Sequence, residues 1–78
     1  MNIQCLKMDD LNKIALDIKN RRKILKITQN DLAEISSVSL RSLKDIETGK
    51  GNPTLTQLFK VLNSLGLKIK IVTKYEND

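Results

Sequence analysis

Ser39, Leu40, Arg41 and Lys44 fall within a six-residue stretch and form the part of this chain best equipped to do chemistry. An arginine guanidinium is a planar fork of donors that fits O6 and N7 of guanine, a contact that discriminates by about 1–3 kcal/mol. A lysine three residues on reaches a guanine or a phosphate. A leucine offers an apolar surface to a thymine methyl. Ser39 suits a helix N-cap, and its hydroxyl also suits a phosphate oxygen. Ser42 adds a second hydroxyl for the sugar–phosphate backbone. Lys50 and Asn52 sit in the polar turn that follows and are candidate phosphate contacts, which position a protein without reading sequence. The bland alternative is a solvated helix face, with Leu40 packed on a neighbour and Lys50 and Asn52 in an ordinary turn. Asp45 is next in register, but its charge repels phosphates, and it is not placed in the candidate set.

The other residue types narrow the chemistry further. The 78 residues carry a formal charge of +5 and a pI near 9.6, which favours a polyanionic partner over an acidic substrate. There is no histidine, and Cys5 is the only cysteine. His-based catalysis, metal sites and an intrachain disulfide therefore lack their residues, and no cofactor is expected. Asp9 and Asp10 are the one adjacent carboxylate pair, at a helix N-terminus where acids are expected anyway. No apolar run approaches the ~18 residues of a membrane span. The first seven residues lack a signal-peptide layout, and a lone cysteine fits a reducing compartment, so the expectation is a cytoplasmic protein and not an enzyme.

The elements that must position these side chains are legible from spacing and caps. Residues 1–8 show little pattern and form an N-terminal arm. Asp9 is placed to cap a first helix ending near Lys26, with Leu11, Ile14, Ala15, Ile18 and Leu25 on its apolar face and Lys19, Arg21 and Lys23 opposite. Thr28 caps a second helix, with Asp31 as a capping-box partner. Leu32, Ala33 and Ile35 are its expected buried side, and Ser36 and Ser37 form a turn. Ser39 caps a third helix with Leu43 and Ile46 in the core and Val38 as a staple residue. Residues 49–53 are a loop on turn chemistry. Thr54 and Gln57 make another capping box for a fourth helix, faced by Leu55, Leu58, Phe59, Leu62 and Leu65 and stopped by Gly66. The period then changes to two: Leu67, Ile69, Ile71 and Thr73 alternate with Lys68, Lys70, Val72 and Lys74, which reads as a strand. A lone strand leaves its backbone groups unpaired. A second copy of the chain is the simplest partner, paired antiparallel across a two-fold axis with Leu67, Ile69 and Ile71 on the buried side. Lys68, Lys70 and Lys74 either keep the strand soluble and block further edge pairing, or touch DNA or an acidic toxin surface. The expected division is an arm over 1–8, a helical domain over 9–66 and a dimerisation strand over 67–74.

Two short capped helices joined by a tight turn, the second bearing Arg41 and Lys44 outward, are what a helix-turn-helix needs. Arg22, Thr28 with Gln29, Leu32 with Ala33, Val38 with Ser39, Ile46 with Glu47, Gly49, Pro53 and the helix over 58–65 together resemble the XRE/Cro-repressor class of helix-turn-helix proteins. The resemblance covers residues 11–66. It implies a mainly α fold: a four-helix, lambda-repressor-like domain, here followed by a C-terminal β-strand pairing across a dimer. The stop at Gly66 and the alternation from Leu67 to Ile71 resemble the HipB branch, the antitoxins of HipA-type toxin–antitoxin systems. Members of that branch are dimers that bind inverted-repeat operators in their own promoter and a HipA-like kinase toxin.

The resemblance also assigns residues. It implies that Gln29 holds a DNA phosphate at the N-terminus of the second helix, where N–H groups favour an anion. It implies a structural salt bridge between Arg22 and Glu47. Ser37 and Lys26 stand where relatives usually carry glycine, so a positive φ there incurs strain of order ~1 kcal/mol. The expected function is a dimeric repressor of double-stranded DNA that is also an antitoxin. The alternatives are a phage-type repressor, a restriction–modification controller without a toxin, or a protein-interaction module that lost DNA binding.

Overall fold

The computed structural model describes residues 8–71 and residue 73. The arm over 1–7, Cys5, Val72 and everything from Lys74 onward lie outside the described residues. Four helices follow in chain order: α1 (Met8–Ile24), α2 (Gln29–Ser36), α3 (Leu40–Thr48) and α4 (Leu55–Ser64). No described helix is long and apolar enough to cross a membrane.

Local chemistry sets the starts of α2, α3 and α4. Thr28 accepts from the Asp31 N–H while Asp31 accepts from the Thr28 N–H, both at 3.0 Å. Thr54 and Gln57 repeat the same reciprocal box at the head of α4. Ser39 accepts from the Ser42 N–H at 3.1 Å and donates to the Ser42 hydroxyl at 2.9 Å. Each box satisfies backbone donors that the helix itself leaves unpaired.

The helix ends share one device. Lys26, Ser37, Gly49 and Gly66 all take a left-handed φ, between +59° and +74°, one or two residues after the ends of α1 to α4 in turn. Each is closed by a pair of bonds back to the last turn, such as Val38 N–H to Ala33 and Ser37 N–H to Glu34. These are Schellman closures, and two of the four are made without glycine. In three of the four the following residue drops inward: Ile27 and Leu67 pack against the core, and Val38 is buried within it, whereas Lys50 after Gly49 is exposed. At Gly49 the Asn12 side chain occupies the space a Cβ would need.

The core joins Ile18 of α1, Leu32 and Ala33 of α2, Val38 of the turn before α3, Leu43 and Ile46 of α3, Leu58, Val61 and Leu62 of α4, and Leu65 just after it. α1 packs on α3, and α2 packs on both α3 and α4. Several sequence expectations shift here. α1 already includes Asp9, so that residue lies inside the first turn and not at the cap, and the helix ends at Ile24. Leu25 therefore sits in the turn and is exposed. Ile35 is 61 % exposed, because Ser36, bonded to the Leu32 carbonyl at 2.7 Å, takes the inward position of that turn. In α4 and its cap the buried set is 58, 61, 62 and 65, so Val61 is fully buried while Leu55 and Phe59 stand at the exposed edge.

Residues 67–71 form no ladder; the described chain contains no strand. The physical reason is that a strand is a pattern of inter-strand hydrogen bonds, and the described residues of one copy hold no second extended segment to complete it. Ile69 is half-exposed and Ile71 is 92 % exposed.

Candidate nucleic-acid interface

α3 is divided lengthwise. Leu43, Ile46 and Glu47 are buried, while Arg41, Lys44, Asp45 and Thr48 are exposed. The division follows from 100° per residue: positions 43, 46 and 47 share one side and 41, 44, 45 and 48 share the other. Ser39 is exposed at the head of this surface, and Ser42 is half-buried beside it. Leu40 is half-buried and packs against the core, so much of its side chain serves the fold.

Lys50 and Asn52 are exposed in the loop that follows, whose turns at Gly49 and Gly51 both need positive φ. With Ser42, Asp45 and Gln57 they line a shallow polar cleft of about 90 Å³ between α3 and that loop. Asp45 turns toward the loop: a Cβ built on Gly51 would lie 3.8 Å from its carboxylate. Ser42, Lys50 and Asn52 are thus brought together at the cleft, while Ser39, Arg41 and Lys44 are exposed along α3 and at its head.

Behind that surface lies a polar knot. Arg22 Nε donates to Glu47 Oε2 at 2.7 Å and Arg22 Nη2 to Glu47 Oε1 at 3.1 Å. Arg22 Nη1 donates to the Ile27 carbonyl at 3.0 Å. Gln29 Nε2 donates to the same Glu47 Oε1, also at 3.1 Å. The Glu47 side chain has no solvent exposure and that of Arg22 is 12 % exposed, so the carboxylate's partners are provided inside the fold. The resemblance implies a phosphate contact for Gln29; its amide donates to Glu47 on the back of α3, which leaves one amide N–H and the first N–H groups of α2 available to an anion.

Two features carried no sequence signal. The link from Gln29 to Glu47 joins α2 to α3 across 18 residues. Arg21, read as part of a basic outer face, donates from Nε to the Leu65 carbonyl at 3.0 Å. Neither partner is near in sequence, so no spacing rule exposes it. At the α2 cap, hydrogen bonds from Thr28, its backbone N–H first, hold the Asp31 carboxyl below the ordinary aspartate range.

A helix-turn-helix family model matches residues 18–72. An uncharacterized HTH-type transcriptional regulator of Methanocaldococcus jannaschii is 38 % identical over 61 residues, covering 78 % of this chain and 92 % of that protein. The cryptic phage CTXphi transcriptional repressor RstR of Vibrio cholerae is 37 % identical over 57 residues, 73 % of this chain. The immunity repressor of Bacillus phage phi105 is 39 % identical over 59 residues, 76 % of this chain. The matched segments span only 51 % and 41 % of those two repressors. In fold, the chain is similar to the restriction–modification controller protein C.AhdI of Aeromonas hydrophila. The TM-score is 0.71 at 23 % identity, covering 77 % of this chain and 91 % of that one.

Proposed function

The chain belongs to the helix-turn-helix family, and on that premise we propose that it is a sequence-specific, DNA-binding transcriptional repressor acting as a homodimer in the cytoplasm. The observation that carries this reading is the division of α3, with Arg41 and Lys44 outward and Leu43, Ile46 and Glu47 inward. α3 enters the major groove and the head of α2 braces on the phosphate backbone. Arg41 reads a guanine, Lys44 a guanine or phosphate, and the exposed part of Leu40 a thymine methyl. Gln29, Ser39, Ser42, Lys50 and Asn52 hold the backbone. The exposed apolar residues Ile69, Ile71, Leu55 and Phe59 support a second copy covering the 67–74 segment and the edge of α4. Two recognition helices then sit about 34 Å apart on an inverted repeat. Repression follows from occlusion of the promoter.

The similarity to two phage repressors, with the fold of a restriction–modification controller, supports a regulator that works without a toxin. The period-two pattern after Gly66 supports the finer alternative, an antitoxin that also binds a HipA-like kinase toxin. A kinase gene beside this one, with a product that co-purifies with the protein, decides for the antitoxin.

The test of the common reading is a footprint of the purified protein on its own upstream DNA at two salt concentrations. Protection of an inverted repeat is expected. Neutralising about six phosphates predicts a log–log salt slope of about −5. Weak protection without sequence preference overturns the repressor reading in favour of an interaction module.

A further inference from the structure

Arg21 and Arg22 are neighbours in the last turns of α1, and they hold two different parts of the molecule. Successive residues of a helix project 100° apart, so neighbours reach different elements. Arg22 grips Glu47 on the back of α3. Arg21 Nε donates to the Leu65 carbonyl, and a Cβ on Gly66 would lie 3.6 Å from Arg21 Nη2. The guanidinium therefore lies along the Leu65–Gly66 turn, where the chain leaves α4. The carbonyls at a helix C-terminus carry partial negative charge, so a cation is favoured there as well as a donor. Leu67 is anchored next, by its N–H to the Leu62 carbonyl at 2.8 Å and by packing on the core. From Lys68 to Ile71 the residues are exposed. The direction of this arm is thus set at Leu65, Gly66 and Leu67.

We propose that Arg21 is a positioning residue that fixes the root of the C-terminal arm relative to α3, and thereby sets the half-site spacing that a dimer accepts. The inference rests on the dimeric reading above. If arms join the two copies, the separation of their recognition helices depends on the angle between each arm and its own α3. One turn of α1 holds both ends of that angle. Without Arg21, the root keeps the bonds internal to α4 and the packing of Leu67 but loses this tie to α1, and the angle of the arm to α3 is held less tightly. One base pair of added spacing moves a half-site by about 3.4 Å along the axis and rotates it by about 35°. A rigid dimer rejects such a change and a swivelling one accommodates it.

The experiment measures binding to inverted repeats whose half-site separation varies in single base-pair steps, with a single half-site as control. Arg21→Met keeps the aliphatic stem and removes the donor; Arg21→Lys keeps a cationic donor without the fork. The wild type is expected to prefer one spacing and to lose about tenfold in affinity one base pair away, DNA deformation absorbing the rest. Arg21→Met is expected to flatten this profile to within about threefold, with single half-site binding unchanged and dimerisation retained in sedimentation. Arg21→Lys restores part of the preference. An unchanged profile in Arg21→Met overturns the proposal. Should that variant fail to fold, an unchanged profile in Arg21→Gln, which lacks the charge and the reach to the Leu65 carbonyl, does the same. A wild type that is monomeric and indifferent to spacing overturns the dimeric reading itself, and the role of Arg21 with it.

Discussion

The Arg22 guanidinium and the Glu47 carboxylate meet through two nitrogen–oxygen contacts, at 2.7 and 3.1 Å, on the side of α3 opposite Arg41. The pair sits behind the DNA-facing surface and joins α1 to the helix that bears it. Truncating one partner leaves the other charge buried without compensation. Arg22→Ala is therefore expected to cost about 3–5 kcal/mol in urea unfolding. Any loss of DNA binding in that variant reports unfolding and not a missing contact. A stability within 1 kcal/mol or so of wild type shows that the pair contributes little.

Lys26 and Ser37 hold left-handed backbone at φ +59° with a side chain attached. That conformation costs about 1–2 kcal/mol for an L-residue, against about 0.5–1 kcal/mol of added chain entropy for glycine. Lys26→Gly and Ser37→Gly are each expected to stabilise by up to about 1 kcal/mol, a rise in Tm of roughly 4–8 °C in a domain this size. Lower Tm values in both would mean that the side chains contribute contacts exceeding the strain.

Base reading and phosphate holding separate in a pair of variants. Arg41→Ala is expected to lower operator affinity by about 1–3 kcal/mol and relax preference at one base position, with little change on random DNA. Lys50→Ala is expected to weaken both by similar factors and to reduce the salt slope by about 1. Equal losses on operator and random DNA for Arg41→Ala would remove it from base reading.

Ile71 is 92 % exposed in the single chain, so a lysine there does not disturb the fold of one copy. Ile71→Lys is expected to give a folded monomer in sedimentation velocity, with operator affinity falling toward that of one half-site. A dimer of unchanged strength places the interface elsewhere, with Leu55 and Phe59 the next surface to test.

The Asp31 carboxyl titrates below its unfolded value because Thr28 donates to it. A depressed folded pKa gives stability that is complete above the unfolded range, near ~3.9, and is lost as pH falls through the folded value. Thermal melts should therefore show wild type above Asp31→Asn at pH 7, with the gap narrowing in acid. A gap constant down to pH 2 would exclude the ionised cap as its source.

The features legible in the sequence are those whose physics is local. Thr28 with Asp31 and Thr54 with Gln57 start helices through bonds three residues apart, and Gly66 stops one by admitting a positive φ. The outward placement of Arg41 and Lys44 followed from the helical period once Leu43 and Ile46 were assigned inward. Tertiary packing decided what two faces compete for. Ser36 rather than Ile35 turns inward in α2, and Val61 lies deeper than Phe59, because a buried stripe is chosen by the helices it meets. Packing also turned Gln29 onto Glu47 and carried Arg21 to Leu65, 44 residues away. Those hydrogen bonds exist only once separate helices have docked, so no pattern along the chain encodes them.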